Sequence, residues 1–136
     1  MIKLIVGEKG TGKTKAVIKM ANDAVKEKKG DVIFIDGSSR YTMTLDRDIR
    51  FINLNDFRID SLKMFYGFLS GIVAQNYDID CIYIDGIFET INGQLQDIEA
   101  FFFDLKGLAD KFSINFIITL TGNPQDVPTF LKDYIA

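Results

Sequence analysis

The chain has 136 residues, 47% hydrophobic and 26% charged, which is ordinary globular usage; it excludes a long disordered chain and leaves room for one domain, residues 1–136, with one sizeable core. A single cysteine, Cys81, excludes a disulfide framework and a cysteine-based zinc site, and the absence of histidine removes imidazole bases, imidazole metal ligands and Ser-His or Cys-His nucleophile pairs. The net charge of −3 does not support nucleic acid as a main partner, since such proteins usually carry a basic surplus.

The chain opens on an apolar run, Ile2-Lys3-Leu4-Ile5-Val6, too short for a secretory signal before it meets glycines. Gly7-Glu8-Lys9-Gly10-Thr11-Gly12-Lys13-Thr14 follows directly, and Gly12 to Lys29 then has helical period, with Val17, Met20, Ala21, Ala24 and Val25 on one stripe. Lys26, Lys28 and Lys29 before Gly30 predict the helix stop there. Val32-Ile33-Phe34-Ile35, ending at Asp36, is the second strand candidate. Gly37 to Asp48 reads as the one long loop, and Arg50 to Leu54 as a weaker strand. A second amphipathic helix over Asp60 to about Asn76 carries Leu62, Phe65, Leu69, Ile72 and Val73 on its apolar face. The longest greasy run, Met64 to Ala74, falls within it and is well short of the ~20 residues a spanning helix needs. The expectation is therefore a soluble, cytoplasmic protein without membrane insertion.

Cys81-Ile82-Tyr83-Ile84, ending at Asp85, predicts the fourth strand. Gln94 to Phe112 predicts a helix with Leu95, Ile98, Phe102, Leu105, Ala109 and Phe112 facing inward. Within it Phe101 widens the stripe and Phe103 points elsewhere, which leaves burial or self-association as the two readings of this aromatic helix. Asn115-Phe116-Ile117-Ile118-Thr119-Leu120 is the fifth strand, and Pro128 to Ile135 a short helix or a final edge strand. Apolar runs without polar alternation suit strands covered on both faces. Their alternation with helices predicts a three-layer α/β/α fold around a mostly parallel sheet of four or five strands.

Gly7 to Thr14 satisfies the pattern G-x-x-x-x-G-K-[ST], between a strand and a helix. Glycines let the loop curl so that successive N–H groups point inward at an anion, and the helix starting near Gly12 or Lys13 adds its positive end. Gly7, Glu8, Lys9, Gly10, Thr11 and Gly12 would thus cradle phosphates. Lys13 brings a point charge to the β- and γ-phosphates and Thr14 a hard oxygen for Mg²⁺.

On these residues the chain resembles the P-loop NTPase superfamily (the loop is its Walker A form), and most of all the additional-strand branch of RecA-like and AAA-type ATPases. That resemblance implies ATP as ligand, Mg²⁺ as cofactor, hydrolase activity, and one strand interposed between the phosphate-loop strand and the strand bearing a magnesium-associated aspartate. Asp36 and Asp85 both end an apolar run before a glycine, and the resemblance selects Asp85. The branch commonly places a glutamate directly after that aspartate to orient water, but here Gly86 stands there. Of the four glutamates, Glu89 is the candidate, ahead of Glu8, Glu27 and Glu99. Thr119 and Thr121 share a strand face, and Thr121 or Asn123 stands where the branch places a γ-phosphate sensor.

All four arginines, Arg40, Arg47, Arg50 and Arg58, lie between the second strand and the helix beginning near Asp60. They read as a solvated loop or as an acceptor-phosphate clamp of a kinase. The Asn-Lys-x-Asp tetrapeptide of guanine specificity is absent, which leaves ATP ahead of GTP. The function expected is Mg²⁺-ATP binding with slow or partner-stimulated hydrolysis. A nucleotide-binding interaction module without turnover, and a small-molecule or nucleotide kinase, are the alternatives; a homo-oligomer or another protein would be the partner.

Overall fold

A computed structural model describes residues 1–37, 44–91 and 93–136. The five apolar runs form five strands: β1 (Ile2–Gly7), β2 (Asp31–Asp36), β3 (Arg50–Asn53), β4 (Ile79–Asp85) and β5 (Asn115–Thr121). They make a single sheet in the order β1-β5-β4-β2-β3, parallel at every pairing. The helices are α1 (Lys13–Lys26), α2 (Leu62–Gln75), α3 (Ile87–Thr90), α4 (Leu95–Phe112) and α5 (Thr129–Lys132). Of these, α3 lies on no stripe that the sequence displays, because four residues are too few to show a period.

Strand alternation divides the core into two faces. Val32 and Phe34 of β2, Cys81 and Tyr83 of β4, and Ile117 of β5 join Val17, Ile18 and Ala21 of α1. Ile33, Ile35, Ile82, Ile84, Phe116 and Ile118 point the other way, into Leu62, Phe65 and Leu69 of α2 and Phe101, Phe102 and Leu105 of α4. Helices thus cover both faces, as near-continuous apolar strands require. Each fully buried Leu, Ile or Phe here contributes roughly 1.5–3 kcal/mol of transfer free energy.

Two expectations are corrected. The first helix stops at Lys26 and the left-handed residue after it is Lys28, at φ 55°, so Gly30 is not its terminator. Gly30 instead opens β2 against the Asp78 carbonyl, which a Cβ there would approach to 2.5 Å. On α4, Leu95 and Phe112 are exposed rather than inward, because the buried cluster takes in only the middle of the 18-residue helix; Phe101 and Leu108 are buried in addition. The Phe triplet splits, with Phe101 and Phe102 buried and Phe103 81% exposed. The tail realises both of its readings: α5 is followed by a parallel bridge from Ile135 to Leu4 beside β1. Among the described residues no helix is long and apolar enough to cross a membrane.

Cys81 is sealed in the α1-side core, where burial, reinforced by the neighbouring Asp80 carboxylate, pushes its thiol up to about 11. At pH 8 this lowers the thiolate fraction about a hundredfold relative to an ordinary thiol at 9.0. Labelling by a disulfide reagent at pH 8 is therefore expected to be at least tenfold slower in the folded chain than in urea. By the same linkage the raised value stabilises the fold below pH 9, and that contribution is lost as pH rises through about 11. Equal labelling rates in the folded and unfolded chain would contradict this placement.

Candidate functional site

Parallel strands bring Gly7, Asp36, Asn53, Asp85 and Thr121 to one edge of the sheet, the carboxyl edge. From there β1 feeds α1 on one face, whereas its neighbour β5 leads through Pro124–Asp126 to Val127 and Leu131, in the core of the opposite face. Adjacent strands whose chains leave in opposite directions open a crevice, the usual ligand position of open α/β sheets. A cleft of about 510 Å³ lies there, lined by Gly7, Glu8, Gly12, Lys13, Asn123 and Pro124, with Ile5, Val6 and Ala16 at its apolar end.

The loop between β1 and α1 winds around one carbonyl. Glu8 O accepts from the Thr11 N–H at 3.2 Å, the Thr11 hydroxyl at 2.7 Å and Lys13 Nζ at 3.0 Å. Gly10 and Gly12 make the curl possible at φ 83° and 87°, a region L side chains rarely adopt. Gly7 is needed for space, since a Cβ there would stand 2.6 Å from the Thr11 hydroxyl. Gly12 is the N-cap of α1 and provides no side-chain cap; the first turn holds no acidic residue. The first N–H groups and the positive end of a 14-residue helix thus face the cleft beside Lys13.

The loop is tied to the rest of the edge through Asp85. The Thr14 hydroxyl donates to Asp85 Oδ2 at 2.9 Å and the Thr119 hydroxyl to Oδ1 at 2.7 Å, while the Gly86 N–H donates to Thr119 Oγ1 at 3.2 Å. Both carboxylate oxygens are therefore oriented. Asp85 sits on the α1 side of β4, two residues past Tyr83, directly under the start of α1. The holding role of Thr119 does not follow from the strand pattern, which assigns its face but not its partner across β4.

The remaining candidates sort by strand position. Thr121 is the register partner of Gly7, and its hydroxyl donates to Glu89 on α3, so those two candidates stand together above the end of β5. Asn123 lines the cleft and accepts from the Gln125 N–H through its Oδ1 at 2.9 Å. Asp36, two strands farther from β1 than β5 is, pairs in register with Asp85.

Arg50 and Arg58 do not converge. Arg50 begins β3, at the amino edge of the sheet, and Arg58 follows the carboxyl end of that strand beyond Phe57, so the clamp read from their closeness in sequence is divided by the length of β3. Arg40 lies outside the described residues.

The donor set would fit a magnesium ion that brings most of its oxygen ligands with it. Among the described residues no group of three or more His, Cys, Asp or Glu side chains is placed to hold a metal. A hydroxyl and one oriented carboxylate, 2.9 Å apart beside the curled loop, would match an ion that keeps several waters and takes its remaining oxygens from a bound ligand. Neither protein-family models nor curated proteins match this chain.

Proposed function

We propose that the chain binds ATP with Mg²⁺ at Gly7–Thr14 and hydrolyses it slowly or under stimulation by a partner, as a member of the additional-strand branch of P-loop NTPases. The observation that carries this reading is the hydrogen bond from Thr14 to Asp85, because it joins the phosphate-loop hydroxyl to an oriented carboxylate 71 residues away. The interposition of β5 between β1 and β4, the order expected for that branch, supports it further.

In this reading the loop N–H groups and the α1 terminus bind the β- and γ-phosphates. Lys13 exchanges the Glu8 carbonyl for phosphate oxygens, a charge-assisted and stronger acceptor. Mg²⁺, when bound, neutralises charge on the β- and γ-oxygens. Thr14 and Asp85 hold its side of the site. The Glu89 carboxylate orients a water toward the γ-phosphorus and takes its proton as the bond to the ADP oxygen breaks. Asn123 and Thr121 supply donors to the γ-phosphate, and Thr121 must release Glu89 to do so.

That tie favours low turnover in the isolated chain, and the interaction-module alternative is its limiting case. The chain is expected to melt on the order of 10 °C higher when MgATP is at a hundred times its Kd. Glu89→Gln is expected to keep that shift and to lower steady-state phosphate release at least tenfold. No shift with MgATP would overturn the proposed ligand; a shift with wild-type turnover in Glu89→Gln would overturn the role of Glu89.

A further inference from the structure

Asp36 and Asp85, which the sequence offers as alternatives, are in-register neighbours on adjacent parallel strands, so their α-carbons stand about 4.8 Å apart. In-register residues of parallel strands point to the same face. Asp36 lies two residues past Phe34 and Asp85 two past Tyr83, both members of the α1-side core. Thr119 is two past Ile117 of the same core, and Asn53 is the register partner of Asp36. A polar row, Asn53-Asp36-Asp85-Thr119, therefore crosses four strands on one face, and the start of α1 covers it through Thr14.

The row is uniform in place but not in burial. Asp36 is 2% exposed and Asp85 8%. Asp36 Oδ1 is directed toward the turn after Asp85, 3.8 Å from where a Cβ on Gly86 would stand. Two carboxylates brought this close inside a protein repel each other, and a cation relieves that repulsion. Asp85 already spends an oxygen each on Thr14 and Thr119, which leaves the side toward β2 as the direction in which its acidic environment extends.

We infer that Asp36 is a positioning residue for the magnesium shell of the proposed site, acting through water beside the Asp85 and Thr14 that would hold the ion. The inference rests on the proposed MgATP reading. Outer partners of a metal site typically govern metal affinity by 10–100-fold, without contacting the nucleotide.

The test is equilibrium binding of a fluorescent ATP analogue to the full chain, titrated with Mg²⁺. In Asp36→Asn, the Mg²⁺ concentration for half-maximal enhancement of binding is expected to rise about tenfold, and analogue affinity in EDTA to stay within twofold of wild type. Asp36→Glu, which keeps the charge, is expected to recover at least part of that loss. Circular dichroism and melting of each variant establish that it is folded, and Asp36→Ser, which also removes the charge, stands in for Asp36→Asn if that variant is not. An unchanged Mg²⁺ dependence in a folded Asp36→Asn, with Asp85→Asn shifting it, would overturn the inference. Failure of the wild type to bind the analogue at any Mg²⁺ concentration would overturn the underlying reading instead.

Discussion

Lys13→Ala is expected to cut MgATP-induced stabilisation by about half or more while leaving the fold intact. The side chain is half-buried and its bond from Nζ runs to a carbonyl of its own loop, so the unliganded chain loses little when it is truncated. Glu8 O keeps two further donors, from Thr11. The liganded state loses a charge-assisted contact to phosphate, about 1.5–3 kcal/mol, or roughly 10–100-fold in affinity. Isothermal titration with MgATP, beside a melting curve without ligand, separates the two effects. Lys13→Arg is expected to rescue poorly, because a planar fork does not replace a point charge in a closed loop. Unchanged affinity in Lys13→Ala would remove the phosphate loop from the site.

The second large effect concerns stability. Phe102 is fully buried and sits among three rings: Phe88 at 6.0 Å, Tyr134 at 5.9 Å and Phe101 edge-on at 5.5 Å. It thereby joins α3, which carries Glu89, to α4 and to the tail beside β1. Phe102→Ala is expected to cost about 3–5 kcal/mol, a large part of the 5–15 kcal/mol that ordinarily holds a domain folded. Urea unfolding should show a lower midpoint at an unchanged slope. Phe103→Ala, one residue on but 81% exposed, should fall within about 0.5 kcal/mol of wild type. A Phe102→Ala loss below about 1 kcal/mol would contradict this packing.

The fold class was legible because its cause is local. Strands buried on both faces must be apolar without alternation, as Val32 to Ile35 and Cys81 to Ile84 are, and amphipathic helices must carry one stripe, as α1 and α2 do. The curl of the loop from Gly7 to Thr14 was legible for the same reason: positive φ at Gly10 and Gly12, and the Gly7 contact, are demands of a short segment that only glycine meets. Helix ends were less so. Lys28 takes the left-handed conformation that Gly30 advertises, because Gly30 is required a few residues later by the Asp78 carbonyl.

The sequence by itself determined the elements, their amphipathic faces and the glycine-dependent curl between β1 and α1, since each depends on residues within a few positions of one another. Only the tertiary structure decided which strand lies beside which, and the rest of the candidate site depends on that order. It sets Thr14 and Thr119 against Asp85 and Thr121 against Glu89, pairings across 71, 34 and 32 residues, and by strand register alone it sets Thr121 beside Gly7 and Asp36 beside Asp85. It also carries Arg50 to the far edge from Arg58, although eight positions separate them in the chain. Register in a parallel sheet is a property of the whole core, fixed by how every strand buries both faces at once, and no local pattern encodes it.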